Sequence, residues 1–91
     1  MPEVIFDIEW PDGSQDQFYS PSTIVNRYFQ IGETYELQDF VKRSRESLNL
    51  ASERVRQRYG SPCSMAIAQL NRIETKALKF DQEPTAPVKI I

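Results

Sequence analysis

The chain has no histidine, one cysteine (Cys63) and three glycines among its 91 residues. Without histidine, the side chain that most often serves as a general base near neutral pH is missing, and so is the commonest zinc ligand. A single cysteine cannot close an intramolecular disulfide, which excludes a disulfide framework. Gly13, Gly32 and Gly60 lie too far apart to form a phosphate-cradling loop or a dinucleotide fingerprint, and each reads as a turn. No apolar run approaches the roughly 20 residues of a membrane span, and the first residues lack the basic start and apolar core of a secretory signal. A cytoplasmic protein is therefore expected.

Basic residues are also missing from positions 1 to 20, which carry Glu3, Asp7, Glu9, Asp12 and Asp16. Positions 40 to 60 reverse the balance with Lys42, Arg43, Arg45, Arg54, Arg56 and Arg58 against Glu46 and Glu53. A net charge of −2 conceals this asymmetry. The two regions are expected to neutralise each other within one fold, the alternative being opposite patches on a neighbouring molecule.

Alternation dominates the N-terminal residues. Val4, Phe6, Ile8 and Trp10 fall on one face of a strand, and Glu3, Asp7 and Glu9 fall on the other. Pro11-Asp12-Gly13 suits a three-residue hairpin loop with a glycine bulge, which sets Phe6 opposite Phe18 and Ile8 opposite Asp16, with Asp16 near an edge. Ser20-Pro21 reads as the start of a brief helix through Phe29, and Thr34 as the cap of a long one reaching Tyr59. In that long stretch Leu37, Phe40, Val41, Leu48, Ala51, Val55 and Tyr59 share one helix face, with Ser44 as a polar interruption. A helix of that length would be ~37 Å long, so either it bends near Ser47 to Ser52 or its end projects.

Gly60-Ser61-Pro62 ends this helix and opens a second over residues 62–80, whose inward positions are Cys63, Ala66, Ile67, Leu70, Ile73, Ala77 and Phe80. Residues 81–87 resemble a linker, and the β-branched residues after Pro87 suit a short third strand beginning at a sheet edge. The expected fold class is α+β: a small two-layer fold with an N-terminal β-hairpin and a C-terminal third strand packed on an antiparallel helix pair and one short helix. Residues 1–80 form the single domain, and residues 81–91 are its linker and edge strand.

Two groups of residues invite a chemical reading. Cys63 is the candidate reactive thiol, because a helix N-terminus favours thiolate and Arg58 could approach through the turn. The competing reading, a small apolar side chain in the helix pair, is favoured since the chain offers no histidine as base and no second cysteine to resolve it. Arg43, Arg45, Arg54 and Arg56 form the candidate partner-binding surface. Nucleic-acid binding by these arginines is disfavoured by the interspersed glutamates and by the lack of any helix-turn-helix or RNA-binding signature. Trp10, Phe18, Phe29, Phe40 and Phe80 read as core, and a pocket is expected between the hairpin and the long helix, lined by Trp10, Tyr19, Tyr28 and Arg45.

Several blocks carry a family resemblance: Trp10 to Ser14, Tyr19 to Ser22, Gly32 to Leu37, Asp39-Phe40-Val41, Arg43-Ser44-Arg45, Ala51 to Val55 and Tyr59 to Ser64. In order and across most of the chain, they resemble a small family of bacterial nitrogen-starvation response proteins encoded in gene clusters with a nitrilase. Residues 81–91 carry little of the likeness. The resemblance implies a setting: such clusters also encode a radical SAM protein, an acetyltransferase-like protein, a flavoprotein and a protein similar to aminoimidazole ribonucleotide synthase. It brings no catalytic residues, no metal ligands and no cofactor.

The expected function is a non-enzymatic accessory protein that binds a protein partner, such as an enzyme of the same cluster, with a homodimer as a further expectation. The alternatives are a regulatory nucleic-acid binder using the basic helix and a thiol enzyme using Cys63. If Cys63 is a packed side chain, iodoacetamide at neutral pH will label the folded protein much more slowly than the unfolded chain. Rapid labelling of the folded protein would restore the reactive-thiol reading.

Overall fold

The computed structural model describes residues 3–61 and 64–91. Pro62 and Cys63, expected at the start of the second helix, lie outside the described residues. The alternating N-terminal segment forms strand β1 (Val4–Glu9), which pairs antiparallel with β2 (Gln15–Ser20). The Trp10 amide donates to the Ser14 carbonyl at 2.8 Å and the Gly13 amide to the Trp10 carbonyl at 2.9 Å. Gly13 takes φ 86, the left-handed value that a glycine bulge requires. Phe6 then faces Phe18 and Ile8 faces Asp16, the register that the three-residue loop predicts.

Asp16 sits on the edge strand, where the Trp10 indole Nε1 donates to its carboxylate at 2.8 Å. A carboxylate beside the core is thereby given a partner, and the polar atom of the buried tryptophan is satisfied as well. In the loop, the Ser14 hydroxyl and amide both donate to Asp12, which holds that carboxyl below its ordinary pKa.

Two helix starts differ from the sequence reading. Ser22, not Ser20, caps a 3₁₀ helix at Thr23–Arg27, accepting from the Ile24 amide. The Ser20 hydroxyl instead donates to the Ser22 carbonyl at 2.8 Å, which shapes the turn. Thr34 is not a helix cap: Thr34–Glu36 is strand β3, and helix α1 begins at Leu37 with no side-chain cap. Its first amides are satisfied from a distance in sequence, Leu37 donating to the Ala86 carbonyl and Gln38 to the Pro84 carbonyl, each at 2.9 Å. A tertiary partner supplies what a local cap would have supplied.

Those carbonyls precede β4 (Pro87–Ile90), and here the expectation of an edge strand is corrected. The sheet order is β2-β1-β4-β3, so β4 is an inner strand and the sheet has four strands. Proline is tolerated because β1 pairs with β4 at Ile8↔Ile90 and Glu9↔Lys89, whereas Pro87 pairs with Glu36 of β3. The residue without an amide hydrogen occupies the end of the strand, beyond its pairing with β1.

Helix α1 runs unbroken over Leu37–Tyr59 and ends where Gly60, at φ 86, donates its amide to the Arg56 carbonyl. Helix α2 (Ser64–Ala77) follows, and a short 3₁₀ turn at Leu78–Phe80 extends it. Both helices pack on the sheet face that carries Phe6, Ile8, Trp10, Phe18, Val88 and Ile90. Phe40 stands at the centre of this layer, with Trp10 edge-on at 5.5 Å and Phe29 tilted at 5.4 Å. Two expected inward positions turn out exposed, Tyr59 at 62% and Ile67 at 46%. For Tyr59 the reason is length, because α1 outruns the elements that cover its first four turns.

Phe40→Ala should therefore destabilise the fold by about 3–5 kcal/mol, measured by denaturant unfolding. Ser44 predicts the opposite sign, because its hydroxyl is buried without a hydrogen-bond partner among the described residues. Ser44→Ala should leave stability unchanged or raise it by about 1 kcal/mol, and a loss would show that the hydroxyl has a partner.

Candidate functional site

At 100° per residue, positions 43 and 54 fall within about 20° of each other on α1, as do 45 and 56, and the two pairs point to nearly opposite flanks. The four candidate arginines therefore do not form one patch. On the first flank, Arg43 Nε donates to Asp39 at 2.9 Å, its Nη1 donates to the Tyr28 carbonyl at 2.8 Å, and its guanidinium lies 4.8 Å above the Tyr35 ring centroid. Arg54 reaches the Ser22 hydroxyl at 3.4 Å, a weak contact. Arg43 ties α1 to the segment between β2 and β3, and Arg54 only touches it.

The second flank faces α2 and solvent. Arg45 Nε donates to Glu74 at 3.1 Å across the helix pair, and both side chains are exposed enough for water to weaken their attraction. Arg56 forks onto Glu53 one turn away, which lowers the Glu53 carboxyl pKa and raises that of the guanidinium. Of the hairpin's carboxylates Asp16 meets basic groups, and they belong to a different helix than expected: it lies 3.9 Å from both Arg72 and Lys76 of α2.

Beside the Arg45–Glu74 pair lies a groove of about 610 Å³, between the first turns of α1, the last turns of α2 and the segment leading to Pro84. Its floor is apolar, with Leu37, Val41 and Ala77, and its rim carries Gln38, Asn71, Leu78 and Asp81. Leu78 is 68% exposed at the mouth. The groove can take an apolar side chain and offer both signs of charge to its flanks. The residues expected to line one pocket are not brought together: Trp10 is buried against Phe40 and Phe80, Tyr19 lines a different groove beside α2, and Arg45 belongs to the groove just described.

Two residues outside the expected site shape this helix layer. Glu74, twenty-nine positions from its partner Arg45, is joined to it only by the helix pair. Gln69 is buried and its Oε1 accepts from the Tyr19 amide at 3.3 Å, blunting the open edge of β2. Gln69 was detectable as a polar residue three positions after Ala66 and four before Ile73, in phase with the apolar stripe. No group of histidine, cysteine, aspartate and glutamate able to hold a metal occurs among the described residues. No helix is long and apolar enough to cross a membrane among them either. Cys63 lies outside the described residues, so its surroundings are not part of this geometry.

A family model for the nitrogen starvation-induced protein NitG matches residues 5–91. The chain belongs to that family. The match includes the C-terminal residues in which the blocks of likeness are sparse, and it covers both helices, the sheet and the groove. Searches of curated proteins and of solved structures gave no match.

The Arg45–Glu74 bridge sets an expectation for a double-mutant cycle of Arg45→Ala and Glu74→Ala. The coupling should be about 0.2–1 kcal/mol and should shrink in high salt. A coupling above about 2 kcal/mol would mean that the pair is shielded from solvent to a degree its exposure does not allow.

Proposed function

We propose that this nitrogen starvation-induced protein is a non-enzymatic accessory protein that binds another protein through the groove beside Arg45. The partner is an enzyme encoded with it in a nitrilase-linked gene cluster. One observation carries the reading: a groove with an apolar floor, Leu78 exposed at its mouth, and the Arg45–Glu74 pair on its rim. Protein recognition commonly uses an apolar anchor seated in a pocket, with charged side chains around it setting orientation. Arg56, on the same flank of α1 but about 16 Å farther along the helix, lies outside the groove's lining, while Arg43 on the opposite flank holds the Tyr28 carbonyl.

The nucleic-acid reading fits less well. Arg43, Arg45 and Arg56 already engage carboxylates of their own chain, which lowers the positive potential offered to a phosphate backbone.

Affinity capture of the native complex from nitrogen-starved cells tests the proposal. The wild-type chain should recover a cluster enzyme, and Arg45→Glu or Leu78→Asp should reduce recovery at least about tenfold, the loss typical of one interface hot spot. Both variants should retain the wild-type circular dichroism and melting transition. Unchanged capture by both variants would move the site elsewhere, and recovery of nucleic acid instead of protein would favour the regulatory alternative.

A further inference from the structure

The helices cover one face of the sheet, and the other face is open. On it the alternate residues Ile5, Asp7 and Glu9 of β1 and Lys89 of β4 come together, with Glu3 and Ile91 at the ends of these strands and Glu36 of β3 beside them. Ile5 is 50% and Ile91 44% exposed, although large aliphatic side chains gain by leaving water. Glu3, Asp7, Glu9 and Glu36 make no ion pair among the described residues. Where this face meets α2, a groove of about 460 Å³ is lined by Ile5, Tyr19, Met65 and Arg72.

The last two turns of α1 have the complementary character. Arg54 and Arg58 make no ion pair among the described residues, Arg54 having a weak contact with the Ser22 hydroxyl and Arg58 lying 5.9 Å from the Tyr59 ring centroid, and Leu50 and Tyr59 are exposed beside them, Tyr59 at 62%. Helix α1 runs unbroken to Tyr59, and no ion pair among the described residues joins its last turns to the open face of its own sheet. A second copy can join the two, and a two-fold axis makes the contact twice over, since each chain carries both halves.

We propose that the chain forms a two-fold homodimer in which the basic end of α1 of each copy lies on the open acidic sheet face of the other. Tyr59 of each copy fills the groove beside Ile5 and Met65, where its ring supplies the apolar anchor. Arg54 and Arg58 then stand over Glu3 and Asp7, which flank Ile5 on β1. The contact is separate from the groove at Arg45 and does not depend on the partner-binding reading.

A charge exchange in sedimentation experiments tests this. The wild-type chain should be a dimer that dissociates as salt rises from about 0.05 M to about 0.5 M. Arg54→Glu with Arg58→Glu gives a copy acidic on both surfaces, and Glu3→Lys with Asp7→Lys gives one basic on both. Each double variant alone should dimerise at least about tenfold more weakly, because like charges meet at both contacts. Mixed in equal amounts, the two variants should restore a one-to-one dimer, because both contacts are attractive again. Tyr59→Ala should weaken the wild-type dimer without changing its salt dependence.

Circular dichroism of each variant should match the wild type, as expected for exposed positions. A strictly monomeric wild-type chain at high concentration would overturn the proposal. So would a dimer indifferent to both charge reversals, or variants that remain monomeric when mixed.

Discussion

The insertion of β4 between β1 and β3 is the constraint on which the rest of the structure depends. Residues 87–90 pair with both neighbours, the Ile90 amide donates to the Glu33 carbonyl, and the Gly32 amide donates back to Ile90 at 2.7 Å. The same C-terminal segment supplies the Pro84 and Ala86 carbonyls that receive the first free amides of α1. Remove it, and β3 loses the strand it pairs with while α1 loses its N-terminal partners. Sheet closure and helix placement are therefore one event, and it joins the two ends of the chain.

Helix α1 is held in three ways along its length. Its start is bound by backbone carbonyls, its middle by the aromatic cluster around Phe40, and its flanks by Arg43 to the Tyr28 carbonyl and Arg45 to Glu74. The last turns lack such support and stand in solvent, with Val55 only half-buried. Basic side chains near a helix C-terminus also suit its dipole, so the arginines there need no partner to be tolerated. The groove at Arg45 and the open sheet face lie on different sides of the molecule, which lets one chain present two surfaces of different chemistry.

Among the described residues, no ion pair joins the acidic N-terminal hairpin to the basic stretch of α1. Arg43 meets Asp39, Arg56 meets Glu53 and Arg45 meets Glu74, all within the helix layer. Asp16 is answered by Arg72 and Lys76. The outer carboxylates of β1 are left over, as are Arg54 and Arg58, and the dipole visible in the composition persists on the surface. Belonging to the NitG family places the chain in nitrogen starvation. The physical content of the fold lies in how these leftover surfaces are displayed.

By itself, the sequence determined whatever depends on neighbours along the chain. Strand alternation from Val4 to Trp10 and the Pro11-Asp12-Gly13 loop were enough for the hairpin and its register. The three- and four-residue periodicity was enough for both helices, and Gly60 for the end of α1. Tertiary structure decided the rest. Thr34 is strand and not cap because β4 offers it a ladder, and β4 is inner and not edge because β3 arrives on its far side. Gln69 is buried because the edge of β2 needs an acceptor, and Tyr59, at the far end of α1, is left exposed. Each of these outcomes turns on a partner distant in sequence, and local propensity and period carry no information about such a partner.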